Sequence, residues 1–346
     1  MTWFLPLATS RIGRRSIREA ASGEFLRMNE DLAKATDVLR RGGVVAFPTE
    51  TVYGLGADAT NADAVQRVFA LKGRPATNPL IVHVANVDVA RRYAAMWPAS
   101  AEQLATRFWP GPLTLVLPKV PAIVAEATAG LGSVGLRVPN HPVALELLRA
   151  FDGPVAAPSA NRSNHVSPTT AQHVRDEFGH AVEAILDGGA SEVGIESTVL
   201  DLSGDRPRVL RPGAVTREQI ADLLGEAVDL FSGSIDAKTS ASSPGQQERH
   251  YSPRTPAFRY SGHQSPPTAG CGVILVGLRF RKRRLGNAMF IELSDDPQEY
   301  ARHLYEALRE LDAMGLERIL VHMPPDEPRW VAVRDRLRRA TVELPG

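Results

Sequence analysis

The sequence has 346 residues, with 40 Lys and Arg against 39 Asp and Glu, so its formal net charge is +1. A chain of this length can form two domains, each with its own core. The charge balance excludes a general attraction to nucleic acid or membrane, so any anion site must come from a local cluster of cations. Apolar content of 43% and charged content of 23% are typical of a soluble globular protein.

The chain contains one cysteine, Cys271, which excludes a disulfide framework or a cysteine zinc site within one chain. No apolar run reaches the roughly 18 residues that a membrane helix needs. The apolar start, Trp3 to Ala8, is too short for a secretory signal. We therefore expect a cytoplasmic protein with no membrane partner.

Composition divides the chain into four parts. Residues 1–27 have no hydrophobic period and are predicted to be a poorly ordered extension. A first α/β domain is predicted over residues 28–225, followed by a Ser-, Gly- and Gln-rich linker over 226–256. A small α/β domain with a β-α-β-α pattern is predicted over 257–346.

The stretch from Lys72 to Leu80 combines two cations with two prolines. A predicted helix, Asn61 to Leu71, with Asn61 as its cap, leads into it. Pro75 and Pro79 restrict the residues before them, so Arg74 and Asn78 leave the helical region. An arginine fork and a lysine point charge on a stiff loop suit a polyphosphate. A basic surface loop is the alternative, which a short motif alone does not exclude.

Polar residues flank predicted strands at several other points. Ligands of open α/β sheets bind at the carboxyl ends of strands, so these stretches are candidate ligand contacts, although turns with internally bonded hydroxyls would show the same pattern. They are Pro48 to Gly56, interpreted as a polar loop after the strand Val44 to Phe47, Pro158 to Ser163 with Ser167-Pro168-Thr169, Glu196-Ser197-Thr198, and Arg211-Pro212-Gly213.

Three features have competing interpretations. His83 lies in a predicted apolar strand, where a histidine is a satisfied core group or faces a ligand more often than it acts as a base. Arg137 follows a glycine-rich loop, which suits a carboxylate ligand or a salt bridge at the rim. The basic run Arg279 to Arg284 is interpreted as a solvated loop, with an RNA contact as the less favoured interpretation.

The candidate stretches recur in the same order in the YrdC-type threonylcarbamoyl-AMP synthases, which residues 30–220 resemble. Arg249 to Pro253 and the small second domain resemble the two-domain branch of that family. The resemblance implies an α/β fold in which a twisted, mostly open mixed sheet is flanked by helices. A small Rossmann-like domain would follow the linker.

The resemblance also implies a reaction. L-Threonine, bicarbonate and ATP give threonylcarbamoyl-AMP and pyrophosphate, with ATP as substrate and Mg²⁺ accompanying it. The product feeds threonylcarbamoylation of the tRNA adenosine next to the anticodon, so the tRNA-threonylcarbamoyl transferase machinery is the expected downstream partner. Such a reaction needs positioning and charge neutralisation more than a protein nucleophile, and no residue is assigned to a metal site.

Roles for individual residues follow from the resemblance. Lys72 and Arg74 are the expected catalytic residues. The expected ATP-binding residues are Arg74, Asn78, Ser133, Ser159, Asn161, Ser167, Arg211 and Tyr251, the last of these on the linker and expected to close over the site. The expected threonine-binding residues are Thr51, His83, Arg137, Ala157 and Ser197.

The sequence departs from the family pattern at Gln246-Gln247-Glu248, where a lysine or aromatic is frequent, and at Asn164, where glycine is common. Two other functions were considered. A non-catalytic RNA- or ribosome-binding protein could use the same basic concavity, and a weak tRNA contact is retained as a partner prediction. A carbamoyl-transfer module of hydrogenase maturation is disfavoured, because that architecture carries cysteine zinc fingers.

Overall fold

The computed structural model describes residues 28–231, 250–262 and 268–345. The predicted extension, 1–27, and the linker stretch that contains Gln246-Gln247-Glu248 lie outside these ranges. Within them, strands form a ten-stranded and a six-stranded sheet, each accompanied by helices. The predicted α/β class and mixed-sheet architecture are confirmed. No helix in these ranges combines the length and the apolar character needed to cross a membrane.

The amino-terminal unit is built on the ten-stranded sheet, whose strand order is β10-β9-β8-β4-β5-β3-β6-β2-β1-β7. Its helices are α1 (residues 28–40), α2 (Ala62–Lys72), α3 (Val87–Tyr93), α4 (Ala99–Phe108), α5 (Pro142–Phe151), α6 (Ala171–Phe178) and α7 (Arg217–Leu224). Its strands are β1 (Val45–Phe47), β2 (Gly54–Asp58), β3 (Ile81–His83), β4 (Leu113–Pro118), β5 (Ser133–Arg137), β6 (Val155–Ala156), β7 (Ala184–Ile185), β8 (Thr198–Asp201), β9 (Arg208–Arg211) and β10 (Asp229–Leu230).

The carboxyl-terminal unit is built on the six-stranded sheet, in the order β13-β14-β12-β15-β11-β16. Its strands are β11 (Ala257–Tyr260), β12 (Cys271–Gly277), β13 (Arg281–Leu285), β14 (Ala288–Ser294), β15 (Arg318–His322) and β16 (Val342–Glu343), and its helices are α8 (Pro297–Asp312) and α9 (Val331–Ala340). The pairs are parallel except β13 with β14. This is the mainly parallel arrangement of a Rossmann-like unit.

Helix α2 shows how local sequence delivers the cationic stretch. The Asn61 side chain accepts a hydrogen bond from the backbone N–H of Ala64 at the start of the helix, as predicted, and Gly73 ends it in the left-handed conformation at φ +61°. Glycine adopts this conformation without steric cost. Lys72 therefore stands in the last turn, and Arg74 follows directly as the chain leaves the helix.

Parts of two predicted loops are strands, so the interpretation as loop is wrong for those parts. Gly54 to Gly56 belongs to β2, which pairs with β1 and β6. Arg281 to Arg284 belongs to β13, which pairs with β14 at the edge of its sheet and exposes every side chain. Glycine and arginine runs have little strand character of their own, and pairing with a neighbouring strand overrides that preference.

The two units meet at segments that carry predicted site residues. Helix α8 donates from Arg302 Nε to the Glu192 carbonyl at 2.9 Å and from Arg309 Nε to the Ser167 carbonyl at 3.3 Å. Gly194 has φ +76°, and a Cβ there would lie 2.5 Å from the Cα of Arg302. Glycine at this position therefore allows the backbone of α8 to approach the loop before β8.

The turn after β9 is packed against the start of β8. A Cβ on Gly213 would lie 2.3 Å from the backbone nitrogen of Thr198 and 2.7 Å from the carbonyl carbon of Ser197. These are backbone atoms, which cannot rotate away. Because Gly213 has no side chain, the turn that follows Arg211 can pack directly against the Ser197 backbone.

We expect Gly213→Ala to lower the free energy of unfolding by about 1–3 kcal/mol, the usual cost of overpacking. Gly204→Ala is the matched control, since a Cβ there meets nothing within 4 Å, and it should change stability by less than about 0.5 kcal/mol. Urea denaturation of both variants measures the difference. Equal midpoints for the two variants would contradict the close approach.

Candidate active site

A cavity lies in the amino-terminal unit where several strand ends meet. Its walls come from the segments after β1, α2 and β6, from β3, from the ends of β5 and β9, from the segment before β8, and from His250 and Tyr251 of the predicted linker. The lining residues are Thr49, Thr51, Val52, Tyr53, Gly54, Arg74, Ile81, His83, Arg137, Ala157, Pro158, Ser159, Glu196, Ser197, Arg211, His250 and Tyr251. We call this space the central cavity.

The structure brings most of the predicted site residues to this one place. All the residues expected to bind threonine line the central cavity, namely Thr51, His83, Arg137, Ala157 and Ser197. From the residues expected to bind ATP, the lining includes Arg74, Ser159, Arg211 and Tyr251. The two predicted sets therefore share one space.

The other predicted residues lie behind or beside this wall. Lys72 Nζ donates to the carbonyls of Ser159, at 2.6 Å, and Asn161. The carbonyl of Asn78 accepts from Arg74 Nε at 3.2 Å, and Ser167 Oγ donates to Glu196 Oε1 at 2.6 Å. These residues hold the lining in place.

Ser133 is the predicted ATP-binding residue that the structure places apart from the central cavity. It lines a small adjacent cavity whose remaining walls are mostly apolar. Ile81 borders both spaces. A ligand long enough to pass Ile81 could contact Ser133 and the central cavity together.

The cations around the cavity are buried, and burial together with repulsion between like charges lowers the pKa of Lys72 and of Arg74. Lys72 is 2% exposed, and burial followed by the charge of Arg74 lowers its pKa. Burial also lowers the pKa of Arg74 to about 10, and Arg211 adds to the shift. Arg74 stays protonated at neutral pH. Like charges confined in a buried space favour an anionic ligand, because the anion removes their repulsion.

Arg137 is paired with Glu50, which the sequence analysis did not assign to the site. Arg137 NH2 lies 2.8 Å from Glu50 Oε1, and both side chains are 4% exposed. Arg137 Nε also donates to the Gly111 carbonyl at 3.3 Å. The sequence feature that pointed to Glu50 was its position in the loop that follows β1, between two threonines, Thr49 and Thr51, that line the cavity. The pair places a charge-compensated guanidinium in the wall.

His83 is a neutral group in the same wall. Burial, followed by the charge of Arg137, lowers its pKa to about 3. Its ring meets Phe47 edge-on with centroids 5.8 Å apart, and its Nδ1 has no hydrogen-bond partner among the described residues. His83 therefore carries no charge at neutral pH, and it lines the central cavity.

Ser197 connects the two predicted ligand regions. Its hydroxyl lies 2.9 Å from Thr114 Oγ1 and accepts from Arg211 NH2 at 3.2 Å. Arg211 Nε also donates to the Ser197 carbonyl at 3.1 Å. A residue expected on the threonine side is therefore bonded directly to one expected on the ATP side.

Tyr251 enters the site with the left-handed backbone conformation, φ +62°, and is 1% exposed. Its ring packs on His250, with centroids 4.0 Å apart, and both residues line the cavity. Burial followed by the Arg74 charge lowers the pKa of His250. The sequence analysis named the Arg249 to Pro253 motif but assigned a role only to Tyr251.

Glu196 is a further residue of the wall that the sequence analysis did not assign. It accepts from Ser167, from Tyr305 Oη at 2.9 Å and from Arg336 Nε at 2.8 Å. The last two donors belong to the carboxyl-terminal unit, more than 100 residues away in sequence. The motif Glu196-Ser197-Thr198 was a local signal for this residue, whereas its partners Tyr305 and Arg336 had none.

Comparison with known proteins agrees with this architecture. The Sua5/YciO/YrdC family model, described as telomere recombination, matches residues 37–213. A second family model, described as threonylcarbamoyl-AMP synthase, C-terminal domain, matches residues 215–342. Together the two models span both sheets.

Similar proteins cover most of the chain. The threonylcarbamoyl-AMP synthase of Pyrococcus abyssi is 40% identical over 319 residues, 89% of this chain and 93% of that protein. The threonylcarbamoyl-AMP synthase of Bacillus subtilis is 40% identical over 322 residues, 89% and 92%. The crystal structure of P. abyssi Sua5 complexed with L-threonine superposes with a TM-score of 0.81 at 38% identity, covering 90% of this chain and 96% of that one. The chain belongs to the Sua5/YciO/YrdC family.

Proposed function

We propose that this protein is a threonylcarbamoyl-AMP synthase, which converts L-threonine, bicarbonate and ATP into threonylcarbamoyl-AMP and pyrophosphate. The observation that carries the proposal is the convergence of Arg74, Arg137 and Arg211 on one cavity. The chain is also 40% identical, over 89% of its length, to each of two threonylcarbamoyl-AMP synthases.

The cations on one side of the cavity suit a triphosphate. Arg74 and Arg211 line the space, and Lys72 lies one hydrogen bond behind Ser159. Arginine forks bind phosphate oxygens with two parallel hydrogen bonds. In the proposed complex, N–H donors that are bonded to carbonyl groups of the protein in this structure bind the phosphates instead. The predicted residues Asn78, Ser133, Asn161 and Ser167 support or contact the nucleotide.

The opposite side suits an amino acid. Arg137 offers a guanidinium for the threonine carboxylate, while Glu50 compensates the charge when no ligand is bound. His83 is neutral, and no described residue forms a hydrogen bond with its Nδ1, so this nitrogen can accept a hydrogen bond from the substrate. Thr51, Ala157 and Ser197 complete this region with small and hydroxyl-bearing side chains.

The proposed reaction runs without a covalent enzyme intermediate. The threonine amine attacks the carbon of bicarbonate, and loss of water leaves a carbamate. A carbamate oxygen then attacks the α-phosphorus of ATP, and the bond to pyrophosphate breaks. Ser167 and Ser197 are engaged with Glu196 and Arg211, and Cys271 lies on β12. The residues of the site therefore position the substrates and neutralise charge.

The Mg²⁺ expected with ATP finds no cage of protein ligands here. The described residues contain no group of three or more His, Cys, Asp and Glu placed to hold a metal. Glu196, which lines the cavity, is paired with Arg336, and Glu50 is paired with the lining residue Arg137. We therefore expect phosphate oxygens and water to hold this ion, and we assign it no protein-bound role.

The product would be consumed by a transferase that carries its threonylcarbamoyl group to a tRNA adenosine next to the anticodon. We propose this transferase as the downstream partner, and the single cysteine favours a cytoplasmic location. A mixed anhydride between a carbamate and AMP is an activated acyl donor, so its consumption by acyl transfer to an amine suits its chemistry.

Release of pyrophosphate from ATP should require both threonine and bicarbonate. We expect Lys72→Ala and Arg74→Ala each to lower this rate by on the order of 10²- to 10³-fold or more, because each removes a positioned donor from the charged region. Arg92→Ala, on the exposed face of α3, is the control and should retain the full rate. Pyrophosphate release with another amino acid but not with threonine would reject the assignment.

Arg137→Met tests the threonine region. The variant leaves Glu50 buried without its counter-charge, so we expect a loss of about 3–5 kcal/mol in stability and a higher KM for threonine. Arg137→Met combined with Glu50→Gln should recover stability in urea denaturation without recovering the KM. If the double variant regains the threonine KM, Arg137 has only a structural role.

The exposed cations of β13 are the place where we propose a weak tRNA contact. Arg281, Lys282, Arg283 and Arg284 are exposed at a sheet edge, although Lys282 and Arg283 are paired with Glu310 and Glu292. In a filter-binding titration, Arg281→Gln with Arg284→Gln should reduce the slope of log K against log salt by up to about 2. Tight, steeply salt-dependent tRNA binding by the native protein without ATP turnover would instead favour the RNA-binding alternative.

A further inference from the structure

Arg336 of α9 is a cation of the carboxyl-terminal unit that reaches the wall of the central cavity. Its side chain is 0% exposed, and its Nε lies 2.8 Å from Glu196 Oε2. Its NH2 donates to the Glu196 carbonyl at 3.3 Å, and its NH1 lies 2.7 Å from Asp335 Oδ2. All its nitrogens are thus engaged with protein groups, and the residue is not part of the cavity lining. Any effect of Arg336 on a substrate must pass through another residue.

Glu196 is the residue through which such an effect would pass. It lines the cavity, and its two carboxylate oxygens accept hydrogen bonds from Ser167 and Tyr305 in addition to Arg336. The next residue, Ser197, is bonded to Arg211 through both its carbonyl and its hydroxyl. A shift of Glu196 would therefore move the hydrogen-bonded pair at the boundary between the two proposed substrate regions.

Arg336 also contacts the linker side of the cavity. Its guanidinium carbon lies 5.4 Å from the ring centre of Tyr251. Buried cation–π contacts of this kind contribute more than exposed ones, because neither group is solvated. One guanidinium thus contacts both Glu196, before β8, and Tyr251, on the predicted linker.

We propose that Arg336 is a positioning residue of the synthase reaction, which holds Glu196 and thereby the Ser197–Arg211 pair in the geometry that the reaction needs. The carboxyl-terminal unit would then supply part of the support of the active site. This inference rests on the proposed function.

Charge explains why Arg336 suits this role. Burial alone would raise the pKa of Glu196, but the charges of Arg336 and then Arg211, with the hydrogen bond from Ser167, lower it to about 2. Without Arg336 the buried carboxylate has less compensation, so its pKa must rise. A protonated Glu196 loses its negative charge and part of its capacity to accept hydrogen bonds from Ser167 and Tyr305.

Several other titratable groups face Glu196 and enter the same balance. They are Tyr305 from α8, Arg336 and the neighbouring Asp335 from α9, Arg211 from β9, Lys72 from α2, and His250 and Tyr251 from the predicted linker. The pKa values of Lys72 and His250 are lowered by burial, and those of both tyrosines are raised by burial. The test must therefore attribute a new ionisation to Glu196 itself.

The experiment measures kcat/KM for threonine-dependent pyrophosphate release between about pH 5.5 and 9. The native protein should show no ionisation of Glu196 in this range. Arg336→Met should lower kcat/KM on the order of 100-fold, as small displacements of positioned groups do. It should also lose further activity as the pH falls, because Glu196 then takes up a proton.

Two further variants identify the group that ionises. Arg336→Met with Glu196→Gln should stay slow but lose the additional fall at low pH, and it should fold more stably than Arg336→Met alone, since no unpaired buried charge remains. Arg336→Lys retains the charge and should suppress the fall at low pH. It should restore only part of the rate, because lysine cannot bind the carboxylate and the carbonyl with one planar fork.

Arg338→Met is the matched control, since it makes the same change at an exposed position of the same helix, and it should keep the native rate and pH profile. A native profile for Arg336→Met, or a uniform loss of rate with no change in pH dependence, would overturn the proposal. Failure of the proposed function can be told apart from failure of this proposal, because the native protein itself would then not release pyrophosphate in response to threonine.

Discussion

The burial of several cations around one cavity is the constraint on which the rest of the structure depends. A guanidinium or ammonium removed from water needs hydrogen-bond acceptors or a counter-charge. Lys72 uses carbonyls of the loop after β6, and Arg74 uses the carbonyls of Asn78 and Pro79. Arg211 uses the backbone and hydroxyl of Ser197. The loops at the strand ends therefore turn their carbonyl groups inward, towards the cations. An anionic ligand would relieve the repulsion among these buried cations.

Two carboxylates compensate the positive charge of buried arginines, one within the amino-terminal unit and one between the two units. Glu50 pairs with Arg137 inside the amino-terminal unit. Glu196 pairs with Arg336 across the two units. A buried ion pair adds little net stability compared with apolar packing, but breaking it is costly. The Glu196–Arg336 pair therefore specifies how the second sheet docks more than it stabilises the fold, and it makes the docking relevant to the site.

This organisation suits a reaction that depends on alignment. A carbamate and a triphosphate repel one another, and their approach requires neutralisation at fixed positions. The cavity supplies arginines at two regions that meet at the Ser197–Arg211 hydrogen bond. Small shifts of this boundary would change the distance between the reacting atoms, so the residues behind the wall matter as much as those that line it.

Local features of the sequence determined where the cations of the site would be. Asn61 and Gly73 define the ends of α2, and prolines restrict the residues that follow, so the Lys72 to Leu80 stretch could be interpreted without a partner. Strands β2 and β13 could not be predicted in this way, because glycine is depleted in strands and a run of cations lacks the apolar alternation of a half-buried strand. Their pairing with β1, β6 and β14 is visible only in the structure. Glu196 and Arg336 are separated by 140 residues, and no spacing pattern links side chains so far apart. The sequence by itself therefore determined the helix ends, the apolar strands and the cationic loop, because each depends on neighbours in the chain. Only the tertiary structure decided which carboxylate compensates which cation, because burial and charge pairing depend on neighbours in space.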